Sequence, residues 1–118
     1  MSLQIGYERE EQARNYLTKQ GLRFITSNYR CRWGEVDLIM SDASHLIFVE
    51  VRARVSGEYG GAIGSITRQK QRKILKTASH YMVSKNLYNK YAARFDVVSL
   101  QGTIPHIEWI KNAFDSDF

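Results

Sequence analysis

Cys31 is the one cysteine of this chain and Pro105 its one proline. A single thiol excludes an intrachain disulfide and any cluster of thiolate metal ligands. No histidine stands near Cys31 in sequence to activate it as a nucleophile, so a core or strand-edge position is the simpler reading. No apolar run approaches the roughly 18 residues of a membrane span. The first residues, Met1 to Glu8, lack the basic-then-apolar order of a secretory signal, which makes the cytoplasm the expected address and a membrane an unexpected partner. The glycine-rich phosphate loop ending in Gly-Lys-Ser/Thr is missing, which leaves nucleoside triphosphate binding without support. His45, His80 and His106 are dispersed and form no helical zinc pattern.

Acid is missing from one long stretch. Between Glu58 and Asp96 no aspartate or glutamate occurs, while Arg68, Lys70, Arg72, Lys73, Lys76, Lys85, Lys90 and Arg94 do. The chain as a whole carries 17 Lys and Arg against 12 Asp and Glu, a net charge of +5. Segregation of this kind builds a surface of one sign, suited to a polyanion whose counterions are released on contact. A solvated helix face carries the same signature.

What is present describes an ordinary globular protein, with 43% apolar and 25% charged residues. At 118 residues the economical reading is one domain spanning 1–118, with one core. Residues 6–20 read as a helix whose inward face carries Ala13, Tyr16 and Leu17; Glu10 shares that face, and Gly21 supplies the stop. Leu22–Tyr29 follows as a strand. Residues 35–41 and 45–53 are two more, joined by a linker short enough for an antiparallel hairpin. Arg54 to Gly64 holds four glycines and reads as a mobile loop. A second helix, capped by Ser65 or Thr67 and running to about Lys85, has an apolar seam of Ile66, Ile74, Ala78, Tyr81 and Met82. Ala92–Gln101 and Ile104–Ile110 complete the order αβββαββ, Pro105 marking an edge or a strand start. An α/β fold is expected, a central mixed five-stranded sheet flanked by helices.

The hairpin carries the chemistry. Carboxylates stay out of buried strands unless something pairs with them, yet Gly34-Glu35-Val36-Asp37-Leu38-Ile39 and Phe48-Val49-Glu50-Val51-Arg52 place acids within apolar sequence. Alternation puts Phe48, Glu50 and Arg52 on one face of their strand and Glu35, Asp37 and Ile39 on one face of theirs. Asp37 can then oppose Glu50. Two such carboxylates repel unless protonated or bridged by a cation, and oxygen ligands suit Mg²⁺ or Mn²⁺. Phosphodiester hydrolysis follows as the reading: Asp37 and Glu50 hold the ion, Glu35 is a third candidate ligand, and Arg52 clamps the phosphate. Arginine stays protonated near neutrality and is poorly suited to take a proton from water. The plainer alternatives are a Glu35–Arg32 pair, a network of Asp37 and Glu50 with Arg52 and Arg54, and an Asp96–Arg94 pair.

These residues resemble a known family. Glu10 with Ala13 and Tyr16-Leu17, the segments 34–39 and Phe48-Val49-Glu50-Val51-Arg52-Ala53-Arg54, Lys70-Gln71, and Arg94-Phe95-Asp96-Val97-Val98 together look like the UPF0102, or YraN-like, family of the restriction-endonuclease-like superfamily, related in fold to archaeal Holliday junction resolvases. The resemblance covers almost the whole chain. It implies a nuclease core in which Asp37 and Glu50 are the metal-binding acids, assisted by Glu10 and Glu35. Arg52 stands where that superfamily usually has its catalytic lysine, and Arg9 where a glycine is common. Lys70, on the second helix, is a candidate to replace the lysine.

Two functions are therefore weighed. One is a Mg²⁺- or Mn²⁺-dependent endonuclease acting on structured or branched DNA, with Arg68, Lys70, Arg72, Lys73 and Lys76 as the docking surface. The other is a nucleic-acid-binding protein whose nuclease site is impaired by Arg52. A small interaction protein whose acids merely pair with its arginines is the third alternative. A homodimer would suit a two-fold-symmetric junction.

Overall fold

The computed structural model describes residues 3–54 and 66–115, with side chains from Glu8 onward. Seven elements follow one another: α1 (Leu3–Lys19), β1 (Arg23–Cys31), β2 (Gly34–Ser41), β3 (His45–Arg54), α2 (Arg68–Ser84), β4 (Ala92–Gln101) and β5 (His106–Phe114). The expected order αβββαββ is the observed one. The glycine-bearing stretch 55–65, including Ser65, lies outside the described residues.

The five strands form one sheet in sequence order. β1–β2, β2–β3 and β4–β5 pair antiparallel, whereas β3 and β4 run parallel. A parallel pair needs a crossover, and α2 belongs to that connection. Both faces of the sheet are covered. Val36, Ile39, Phe48 and Val97 pack with Ile74, Ala78, Tyr81 and Met82 of α2, while Leu38, Ile47, Val49 and Val98 pack with Ala13 and Leu17 of α1. That explains the unbroken apolar run Leu46–Val49: a strand buried on both faces does not alternate apolar with polar. Each large side chain taken fully out of water contributes about 1.5–3 kcal/mol.

The helix ends are written in the sequence. Gly21 adopts φ +105°, and the last turn of α1 closes with Leu22 N–H donating to Leu17 O at 3.1 Å and Gly21 N–H to Thr18 O at 3.0 Å, as a left-handed residue permits. Asn86, at φ +56°, closes α2 in the same way through Leu87 N–H to Met82 O at 2.9 Å. Thr67 caps the start of α2, its hydroxyl accepting from Lys70 N–H at 3.1 Å.

The last strand departs from expectation. β5 starts at His106, not Ile104, because Gly102 at φ +91° and Pro105 bracket a turn that leaves Ile104 95% exposed. It also runs on to Phe114 through a bulge, the register shifting between Phe95 and Val97, with Asn112 at φ +53°. Asp96 fills this irregularity. Its Oδ1 accepts from Asn112 N–H at 2.9 Å and from Arg94 Nε at 3.0 Å, and its Oδ2 from Arg94 at 2.8 Å and Trp109 Nε1 at 2.9 Å.

Candidate active site

The site arises where β2 leaves β3. The β2–β3 ladder pairs Ser41↔Leu46 through Leu38↔Val49 and goes no further. At the next position Asp37 takes over with its side chain, Oδ2 accepting the Val51 N–H at 2.8 Å. The kink extends to the other neighbour. Asn28 lies between the pairs Ser27↔Leu38 and Tyr29↔Val36 of the β1–β2 ladder and has φ +53°. Simple alternation does not survive it: Val36, rather than Glu35, joins Ile39 in the core beneath α2. The expectation that Glu35, Asp37 and Ile39 share one face is thus corrected, because strand parity resets at Asp37. The face assigned to Phe48, Glu50 and Arg52 is retained in β3, whose ladder to β4 is unbroken.

A cavity of about 430 Å³ opens at this divergence, lined among others by Glu10, Glu35, Asp37, Glu50, Arg52 and Lys70. α1 delivers Glu10, β2 delivers Glu35 and Asp37, β3 delivers Glu50 and Arg52, and the first turn of α2 delivers Lys70. Arg9 and Lys73 also reach its wall. Arg68, Arg72 and Lys76 do not line it; they are exposed along α2.

Its electrostatics are those of unsettled acids. Burial pushes the Glu50 carboxyl up to about 8, and the neighbouring Asp37 adds to the rise, while Arg52 and Lys70 pull it back. Burial likewise raises Asp37 against the pull of the Val51 N–H, Arg52 and Lys70. Glu10 is raised by burial and then by the Asp37 charge, and lowered by a hydrogen bond from Asn28. Asn28 went unnoticed in the sequence; its signal is that asparagine is among the few non-glycine residues that tolerate the left-handed region.

Glu50 and Asp96 make an instructive pair. Both are buried, at 4% and 0% exposure. Asp96 is saturated, as a structural carboxylate must be. Glu50 has a 3.5 Å contact from an Arg52 Nη to its Oε2 and a backbone hydrogen bond from Asp37 that lowers its pKa, while its buried Oε1 and the buried Nε of Arg52 have no hydrogen-bond partner. A bidentate arginine pair would have used both. A divalent ion fits such an oxygen. Among the described residues no group of three or more His, Cys, Asp or Glu could by itself hold a metal ion, so an ion here would rest on Asp37 and Glu50 and complete its shell with water, backbone or phosphate oxygens, as Mg²⁺ commonly does. Glu35 is otherwise engaged: its Oε2 accepts from Arg30 Nε at 2.9 Å, so its arginine partner is Arg30, two residues before Arg32. Cys31 ends the edge strand β1 and accepts from the Trp33 N–H at 3.4 Å, a strand-edge thiol as expected.

This is an α/β core of the restriction-endonuclease-like class, with its acids gathered at the parting of two central strands. The family model described as "Uncharacterised protein family UPF0102" matches residues 9–100, and the chain belongs to that family. Similar proteins include "UPF0102 protein lpg2994" of Legionella pneumophila, 47% identical over 116 residues and 98% of both chains. "UPF0102 protein COXBURSA331_A1934" of Coxiella burnetii is 43% identical over 118 residues, covering 100% of this chain and 98% of that one. "UPF0102 protein PputW619_0932" of Pseudomonas putida is 42% identical over 113 residues, 93% of this chain and 92% of its own. No helix among the described residues is long and apolar enough to cross a membrane.

Proposed function

We propose that the protein is a divalent-cation-dependent phosphodiesterase acting on DNA of structured or branched form. The observation that carries this reading is the buried, unpartnered Oε1 of Glu50 beside Asp37 in an open cavity walled by Arg52 and Lys70. Asp37 and Glu50 would hold Mg²⁺ or Mn²⁺, which when bound supplies charge to stabilise the phosphoryl oxygens and lowers the pKa of a water. Arg52, with a donor to spare, binds a phosphate oxygen. Lys70 brings a second positive charge into the cavity from α2. Glu10 orients water through its raised, partly buried carboxyl. Branched form is the finer part of the proposal and rests on the family resemblance.

The test is cleavage of four-way, flapped and linear DNA in Mn²⁺. Wild type is expected to cut, and Asp37→Ala to lose activity by at least about a hundredfold while keeping its circular dichroism; removing even a supporting outer group of a metal site costs about 10–100-fold. Arg52→Lys is expected to accelerate cleavage by about a hundredfold, the low end of what a well-placed proton-transfer group contributes. A protein that binds these DNAs, cuts none, and is not rescued by Arg52→Lys would instead be the binding protein with an impaired site, the second reading that Arg52 favours.

The α2 cations make a separate prediction. Neutralising Arg72, Lys73 and Lys76 together to Gln should weaken DNA affinity uniformly across sequences. It should also reduce the slope of log K against log salt by about 2–3, the loss expected when three phosphate contacts disappear. Filter binding at several salt concentrations measures it, and an unchanged slope would return this charge to a solvated helix face.

A further inference from the structure

Beyond the acid cavity, the tip of the β1–β2 hairpin carries an aromatic residue that neither the core nor the proposed chemistry uses. Trp33 is 39% exposed. Two cations lie over its ring, the Arg32 guanidinium 4.6 Å from the ring centre and the Lys76 ammonium 4.7 Å. Among the described residues no carboxylate forms an ion pair with Arg32, Lys73 or Lys76. A depression of about 480 Å³ lies beside the indole and shares Gly34, Glu35 and Lys73 with the acid cavity.

The tip is held in place. Cys31 and Gly34 pair across the turn, Cys31 Sγ accepts the Trp33 N–H, and Arg30 bonds Glu35 across the hairpin stem. Gly34, at φ +150°, faces α2, where a Cβ would make ordinary van der Waals contact, 3.5 Å from Thr77 Oγ1 and 3.7 Å from the Lys73 Cβ. The indole is therefore presented by a held turn.

Lys70, Lys73 and Lys76 recur every three residues and so follow one side of α2. Lys70 lines the acid cavity, Lys73 lines both depressions and Lys76 sits on Trp33. The track from Lys70 to Lys76 rises about 9 Å along the helix. A part-exposed aromatic ring bearing two cations that no carboxylate pairs, at the end of a basic track, can stack a nucleobase once a cation turns from the ring to a phosphate. Bases inside a duplex offer no free face to such a ring.

We propose that Trp33 is a stacking platform for an unpaired nucleobase of DNA beside the acid cavity, with Arg32 and Lys76 turning from its ring to the flanking phosphates. This deepens the nuclease reading and rests on it for the DNA partner. It selects substrates with single-stranded nucleotides next to duplex over continuous duplex.

The test measures binding in EDTA, so that cleavage plays no part. Fluorescence anisotropy compares a forked DNA with unpaired arms and a blunt duplex of equal phosphate number, for wild type, Trp33→Ala and Trp33→Phe. Trp33→Ala is expected to lose about tenfold in affinity for the fork and less than about twofold for the duplex, with Trp33→Phe close to wild type, as base–aromatic stacking predicts. Fork-induced quenching of tryptophan emission should disappear in Trp33→Ala. Equal losses on both DNAs, no loss on the fork, or quenching that persists without Trp33 would overturn the platform alone. A wild-type protein that binds neither DNA would overturn both the platform and the reading beneath it.

Discussion

Glu50→Gln is expected to make the protein more stable at pH 8 while removing the proposed cation-dependent cleavage. The sign follows from the carboxyl's position. In the folded protein burial beside Asp37 carries it up to about 8, whereas in the unfolded chain it titrates near the ordinary value of about 4.3. Between these pH values the native state holds a proton that the unfolded state has released. Stability therefore falls as pH rises through this window, and the full contribution is present only below about pH 4.3. A neutral amide of the same shape carries no such burden. Thermal melts in EDTA should show wild type several degrees less stable at pH 8.5 than at pH 5.5, and Glu50→Gln nearly level across that range. The gap corresponds to on the order of a few kcal/mol. Saturating Mn²⁺ should lift wild type at pH 8.5, since a ligand bound only by the native state stabilises it, and should leave Glu50→Gln unmoved. A wild type that melts higher at pH 8.5 than at pH 5.5 in EDTA would contradict this assignment.

Asp96→Ala should behave in the opposite way. The carboxylate is 0% exposed and accepts from Arg94, Trp109 and the Asn112 N–H, so its loss leaves a guanidinium without its main buried partner and opens the β4–β5 bulge. Removing one partner of a buried pair costs about 3–5 kcal/mol, roughly 10–20 °C in melting temperature for a chain of this size. Cation affinity per folded molecule should be unchanged, because Asp96 does not line the acid cavity. Calorimetric melting in parallel with a Mn²⁺ titration at low temperature distinguishes the two acids. A small melting shift accompanied by loss of Mn²⁺ binding would reverse their roles.

The contrast between these two aspartate- and glutamate-bearing strands also marks how far the sequence could be read. Element order, the inward face of α1, the Gly21 stop and the hairpin were legible because they depend on local periodicity and on residues with special backbone freedom. The convergence of Glu10, Glu35, Asp37, Glu50, Arg52 and Lys70 on one cavity was foreshadowed by acids in apolar strands. The kink at Asn28 and Asp37 was not, because period-two reasoning assumes an unbroken ladder and this one ends at Leu38↔Val49. The β5 bulge escaped for the same reason. What separates Glu50 from Asp96 is invisible in one dimension: each stands among apolar residues in a strand near an arginine two positions away, and only the fold decides whose oxygens are satisfied.

Arg52 shows the same limit from the other side. Its position beside Glu50 could have been a closed ion pair that needs nothing else. The observed contact is a single one at 3.5 Å, leaving Nε without a hydrogen-bond partner.

The most direct measurement is a crystal of the wild-type protein soaked in Mn²⁺ at pH 8, with data collected at the manganese absorption edge. One anomalous peak is expected in the cleft, within about 2.0–2.3 Å of an oxygen of Asp37 and of Oε1 of Glu50, with the Arg52 guanidinium turned toward solvent or a bound anion. An empty cleft in which Arg52 closes on both oxygens of Glu50 would contradict it.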